Sequence, residues 1–213
     1  MSDPILNEQI EYYRARAKEY DQSISSAVEL FEAGKGMLLN LGNFDQILEL
    51  ACGTGFWTET LTKMGGEVTA VDAAPEMLQI ARERLGEKGI TYQQADLFKW
   101  EPEREYDLVF FANWLSHVPP SALETFLSRV QRAVRPDGYL AIVDQYAPSV
   151  ADEIIAKDDF YAKRPLEDGR EFTIVKAFYN LNLLEGKLNN LGFEVSTTKF
   201  TETFFFLSGK RVG

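Results

Sequence analysis

Two glycines, two acids and one histidine are the residues of this 213-residue chain whose types and spacing could do chemistry. Gly53 and Gly55 break the run Leu48-Glu49-Leu50-Ala51-Cys52-Gly53-Thr54-Gly55-Phe56-Trp57 at the point where a short apolar stretch gives way to helical spacing. Lacking Cβ, each glycine can take positive φ and let a ligand approach the backbone closely. Asp72 ends a second apolar run, Glu67-Val68-Thr69-Ala70-Val71-Asp72, about twenty residues after the first glycine, where a carboxylate can hold ribose hydroxyls. Asp96 closes a third short run, and His117 follows a fourth by a few residues. Neutral imidazole, with an ordinary pKa of about 6.5, can accept the proton of a hydroxyl or ammonium acceptor or orient that acceptor.

Strand ends must position these residues. Ile47, Leu48 and Leu50 read as a parallel strand buried on both faces, and 67–72, 90–94, 106–111 and 139–144 read as four further strands. Pro75 and Gly86 bracket a helix, and Ser121 with Glu124 predicts a capping box for another, carrying Leu123, Phe126, Leu127, Val130 and Val134. Asn180 caps a third helix that Gly192 stops, and 193–195 with 204–207 predict a closing hairpin. Before the first strand, residues 1–42 read as a helical lid: Pro4 starts one helix through Tyr20, and Ser23 or Ser25 caps a second. Between 145 and 170 the pattern is lost, which suggests an insertion that covers substrate, followed by an extra strand from Glu171 to Phe178. The alternation predicts a single α/β domain over 1–213, a three-layer α/β/α sandwich around a mostly parallel sheet.

A formal net charge of −11 argues against nucleic acid and anionic membranes, since both need clustered Lys and Arg. No apolar run approaches the roughly 18 residues of a membrane span, and the N-terminus has no signal-peptide pattern. One cysteine, Cys52, cannot form an intrachain disulfide, so a reducing, cytoplasmic setting is expected. No metal is expected.

The third glycine of G-x-G-x-x-G is missing, with Thr58 in its place, which disfavours a dinucleotide. Glu-Leu-Ala-Cys-Gly-Thr-Gly, with Glu49 two residues before Ala51, instead resembles the first motif of the class I S-adenosylmethionine-dependent methyltransferases. The resemblance is specific over about residues 45–145 and loose on the flanks. It implies a seven-stranded sheet of order 3-2-1-4-5-7-6 with one antiparallel strand, S-adenosylmethionine as cofactor and S-adenosylhomocysteine as its product. It also implies contacts to that cofactor from Ala51, Gly53 and Gly55, from Asp72 and Ala73 at the ribose, and from Met77, Asp96 and Leu97 at adenine. Ala112 and Asn113 complete that set from the fourth strand, with Tyr20 and Arg16 from the lid. The acceptor, a small molecule methylated on O or N by in-line transfer, would meet Tyr12, Tyr13, Trp114, Asp144, Tyr146 and the catalytic candidate His117, in a monomer or homodimer. Absence of Asn-Pro-Pro-Tyr or Asp-Pro-Pro-Tyr after the fourth strand argues against the branches that methylate nucleic acids or glutamine amides. Another adenosine-cofactor enzyme (aminopropyl transferase or dehydrogenase) and a non-catalytic cofactor-binding regulator stay open.

Overall fold

The computed structural model describes residues 4–25, 28–148 and 160–212. A seven-stranded sheet forms the centre: β1 (Gln46–Leu50), β2 (Glu67–Asp72), β3 (Ile90–Gln94), β4 (Tyr106–Ala112), β5 (Val134–Gln145), β8 (Phe193–Lys199) and β9 (Phe204–Arg211). Its order is β3-β2-β1-β4-β5-β9-β8, parallel from β3 to β5, with β9 antiparallel to both β5 and β8. With the last two strands renumbered, this is the expected 3-2-1-4-5-7-6. Successive residues of a strand face opposite layers, so the two halves of each apolar run serve different cores. Leu48, Leu50, Val109, Phe111 and Ile142 pack under α5 (Pro120–Ala133) and α6 (Leu181–Asn190). Ile47, Leu108, Phe110, Ala141 and Val143 pack with Phe31 and Leu38 of α2 (Val28–Leu39) and Leu61 of α3 (Thr58–Leu61). This is the predicted α/β/α sandwich.

Pro75 and Gly86 bound α4 (Pro75–Leu85) as expected, Gly86 having φ of +72°. Asn180 caps α6, its side chain accepting from Leu183 N. Three local expectations are corrected. The first helix, α1 (Pro4–Ser25), runs through both serines offered as caps for a second. No side chain caps α5. Pro120, with fixed φ and no N–H, fills its first position and leaves one donor fewer to satisfy. Glu124, expected in that cap, reaches instead toward Lys187, 2.5 Å away.

The third correction lies in the segment between the fifth strand and α6. Residues 149–159 of the expected insertion lie outside the described residues, but beyond them the chain forms β6 (Tyr161–Pro165), paired antiparallel with β7 (Glu171–Val175). The extra strand therefore ends at Val175, and its partner sits inside the stretch expected to be patternless. This ribbon lies apart from the main sheet and packs on α1: Tyr12 shares a small core with Ala162, Leu166 and Ile174. From the other side α1 is held to α4 by Arg14, whose guanidinium donates to both carboxylate oxygens of Glu76 at 3.0–3.2 Å. The N-terminal cover thus spans from α4 to the ribbon, across the carboxyl ends of β1, β2 and β4.

Candidate functional site

Backbone geometry at the end of β1 sets the floor. Ala51 and Gly53 have φ of +57° and +54°, and Gly53 N donates to Asp72 Oδ2 at 2.9 Å. Ala74 N donates to the other carboxylate oxygen at 2.9 Å, so Asp72 is fixed before any ligand arrives. Burial raises the Asp72 pKa, and the backbone N–H donors oppose it. Gly55 plays a different part: a Cβ there would stand 3.0 Å from Leu85 Cδ1 and 3.2 Å from Ala81 Cβ, so this glycine lets α4 close on the turn. Thr58, where a dinucleotide fingerprint has glycine, donates to buried Glu49 at 2.5 Å. Burial pushes the Glu49 carboxyl up to about 8, and the Thr58 bond lowers it.

On the lid side, Thr54 donates to Asp21 at 2.6 Å, and Asp21 also pairs with Arg84, joining α1, the turn and α4. Tyr20 lies over the turn, 3.6 Å from where a Gly53 Cβ would be. Asp96 forms an Asx-type turn, accepting from Phe98 N at 3.0 Å, and pairs with Lys99 at 2.7 Å.

The fourth strand ends at Ala112, and the chain turns through Asn113, which has φ of +52°, into a 3-10 turn, Leu115–His117. His117 is buried and held from three sides. Its Nδ1 is 2.7 Å from the Val175 carbonyl, its Nε2 is 2.9 Å from the Tyr13 hydroxyl, and its own carbonyl accepts from the Gln9 amide at 3.2 Å. Gln9, itself buried, accepts from Val175 N at 3.0 Å, so one side chain stitches α1 to both β7 and the histidine turn. Beneath, Asp144 accepts from Ser116 N at 3.2 Å and Gln145 N at 2.7 Å. Lys176, just past β7, is buried; its Nζ reaches Ser116 Oγ at 3.4 Å and the Gln145 side chain. Burial raises the Asp144 pKa, and the nearby Lys176 charge lowers it.

These two ends open into one cleft of about 630 Å³. Tyr20, Ala51, Gly53, Asp72, Ala73 and Met77 line one half of it, with Asp96 and Leu97. Ala112, Asn113, Trp114, His117 and Tyr13 line the other. Five residues singled out from the sequence lie off its walls: Gly55, turned to α4; Arg16, over the Tyr12 and Tyr20 rings; Tyr12, in the ribbon core; Asp144, beneath the histidine turn; and Tyr146. Tyr146 faces a separate depression, with Lys199 Nζ 4.4 Å above its ring. The sequence does not single out Gln9, Ile10 and Phe98 on the walls, nor Lys176 behind them. An i, i+4 relation of Gln9 to Tyr13 on a lid helix is the available signal for the first.

The cleft fits an adenosine-bearing cofactor. Asp72 faces it with its carboxylate held by N–H donors, and two non-glycine residues of positive φ, Ala51 and Asn113, stand at adjacent strand ends on its wall. Such backbone costs of order 1–3 kcal/mol and persists where the surroundings over-determine it, commonly at ligand sites. The Trp114 indole Nε1 is also buried without a partner.

A profile of the family described as a methyltransferase domain matches residues 47–138. Among solved structures, the DhpI–SAH complex aligns with 35% identity and a TM-score of 0.87 over 100% of this chain and 99% of that one; the DhpI–SAM–HEP complex gives 35% and 0.86 over 98% and 99%. Ubiquinone biosynthesis O-methyltransferase of Hydrogenovibrio crunogenus is 36% identical over 44% of this chain and 40% of that protein. Malonyl-[acyl-carrier protein] O-methyltransferase of Bacillus cereus is 29% identical over 79% of this chain and 64% of that protein. The chain spans about half the length of the curated relatives it matches.

Proposed function

Since the chain belongs to the class I S-adenosylmethionine-dependent methyltransferases, with S-adenosylmethionine as its cofactor, we propose that it methylates an acidic oxygen of a small molecule. The observation that carries the acidic part is that three cations, Arg16, Arg164 and Lys176, stand behind the cleft walls close to the groups that line or adjoin its His117 end. The Arg16 guanidinium donates to the Tyr12 hydroxyl at 2.8 Å, and Arg16 and Arg164 both act electrostatically on the Tyr12 and Tyr13 hydroxyls. Buried Lys176 stands behind Ser116, next to His117. The malonyl-[acyl-carrier protein] relative, whose malonyl group ends in a carboxylate, supports the same class.

Bound in the cleft, the cofactor supplies an electrophilic sulfonium methyl. The chain's own task is then to bind, align and exclude water. Asp72 would accept from ribose hydroxyls, Asp96 would meet the adenine, and the backbone at Ala51 and Gly53 would leave room for the methionine part. Tyr13, Tyr20 and Gln9 close the cleft from α1, and holding acceptor and methyl in line can supply roughly 7–11 kcal/mol of the barrier. A carboxylate is already an anion near neutral pH, so no proton has to be removed and His117 serves to orient. For an alcohol or amine acceptor, His117 would be the base. The reading has a cytoplasmic setting, where Cys52 stays reduced, a monomer or homodimer, and no nucleic-acid or membrane partner.

The test is a panel of small carboxylic acids, phenols and amines, with S-adenosylhomocysteine release measured. Turnover is expected among the acids. If only phenols or amines are methylated, the acidic-acceptor reading fails while the family assignment stands.

A further inference from the structure

His117 is the single histidine of the chain, and its two ring nitrogens have partners of unequal kind. A carbonyl can only accept, so the 2.7 Å contact to Val175 O places a proton on Nδ1. In the neutral ring Nε2 then holds a lone pair, and the Tyr13 hydroxyl 2.9 Å away must donate to it. Tyr13 cannot ionise instead: burial holds its phenol well above the ordinary value of 10.0. In this state the Tyr13 oxygen shows the cleft only lone pairs, which repel an anion. When Nε2 is protonated the bond reverses, and the Tyr13 O–H is released to point into the cleft. Resting on the acidic-acceptor reading, we infer that Tyr13 is the hydrogen-bond donor for the anionic acceptor, and that His117, through its protonation, sets which way that hydroxyl points.

The other groups facing this pair do not duplicate the switch. From α1 come Glu8, Arg16 and Tyr20, the first accepting from Thr173 N and the second lying over the Tyr20 ring. From β6 comes Arg164, from the end of β7 Lys176, and from β5 Asp144. Asp72 and Asp96 face the cleft from the cofactor half. The guanidiniums of Arg16 and Arg164 are donors only, so neither can reverse a hydrogen bond. Among the described residues, the Tyr13–His117 pair is the hydrogen bond at this end of the cleft whose donor direction follows the protonation of the imidazole. Tyr13 is thus a specificity-determining residue and His117 a positioning residue that acts through it.

Two measurements on the full chain loaded with S-adenosylhomocysteine test this, with malonate as the probe. Nitrogen NMR of the single histidine should show the Nδ1–H tautomer at pH 8, and malonate should raise the pKa of that ring, because coupling between two binding events is reciprocal. Calorimetry should show malonate binding weakened about tenfold between pH 6.5 and pH 8, as the competent fraction falls. In Tyr13→Phe, provided S-adenosylhomocysteine binding is kept, that dependence should shrink to about threefold or less, the remainder being direct attraction to the imidazolium. An Nε2–H tautomer, a ring pKa that malonate leaves unchanged, or an undiminished pH dependence in Tyr13→Phe overturns the inference while malonate binding itself keeps the acidic-acceptor reading. Failure of malonate to bind at either pH overturns both.

Discussion

Glu49, buried, and Asp72, partly buried, are two carboxylates on neighbouring strands whose different partners give them different work. Asp72 accepts two backbone N–H bonds at 2.9 Å and lines the cleft, so ribose hydroxyls would meet an oriented acceptor. Asp72→Ala should weaken cofactor binding by about 1.5–3 kcal/mol, the loss typical of a hydrogen bond to a charged group. Unchanged affinity by calorimetry would remove Asp72 from the ribose site. Glu49 has one close donor, Thr58, and burial raises its pKa to about 8, above the unperturbed 4.5. A folded-state pKa above the unfolded one means that the folded state binds the proton more tightly. The stabilisation is therefore complete below about pH 4.5 and is lost as pH rises through about 8. Glu49→Gln, neutral throughout, should lose less melting temperature than wild type between pH 5 and pH 8.5 in calorimetric scans without cofactor. Parallel curves for the two proteins would show that Glu49 does not titrate as its burial implies.

At the scale of elements, α1 is a strap tied on two sides. Arg14 binds it to α4, and Gln9 binds it to β7 and the histidine turn with two bonds of 3.0 and 3.2 Å. Gln9→Leu keeps most of the volume but leaves Val175 N–H and the His117 carbonyl unpaired, at roughly 1–3 kcal/mol for each buried group. Hydrogen exchange should quicken in α1 and β7 and stay unchanged in β1 and β4, with acceptor KM raised and cofactor affinity less affected. Equal protection in variant and wild type would mean that the strap is held elsewhere. The elements around this strap differ in how far their sequence shows them. Pro75 with Gly86 and the two-faced apolar runs announce α4 and the central strands because their signals are local and their burial is complete. The ribbon is hidden for the opposite reason: β6 is Tyr-Ala-Lys-Arg-Pro, its one deeply buried side chain is Ala162, and its partner surface is α1, more than a hundred residues away. Lys176 and Gln9 are hidden too, since a polar residue in a half-polar segment gives no sign that the fold will bury it. The half of the cleft proposed for the cofactor is marked by glycines and acids at strand ends, while the half proposed for the acceptor depends on contacts between α1, β7 and the turn after β4, which no spacing encodes.

For the whole molecule, a formal net charge of −11 and the cations behind the cleft would act on the proposed acidic substrate with opposite signs and different ranges. The −11 is spread over the surface and acts at long distance, where a Debye length of about 10 Å at 0.1 M salt screens it strongly. Arg16 and Arg164 stand behind the cleft walls and act at short range on the Tyr12 and Tyr13 hydroxyls, where close pairs are screened much less. Raising the ionic strength from about 0.01 to 0.1 M should therefore remove the repulsion that an approaching anion meets while leaving most of its local attraction. The expected outcome is a kcat/KM for an acidic acceptor that rises, by about twofold to fivefold, over that range before falling at higher salt, whereas a neutral phenol should show no such rise. Stopped-flow or initial-rate measurements at fixed pH and saturating cofactor give the profile. A monotonic fall from the lowest salt would mean that the local cations govern approach as well as binding, and that the acidic surface has no part in selecting the acceptor.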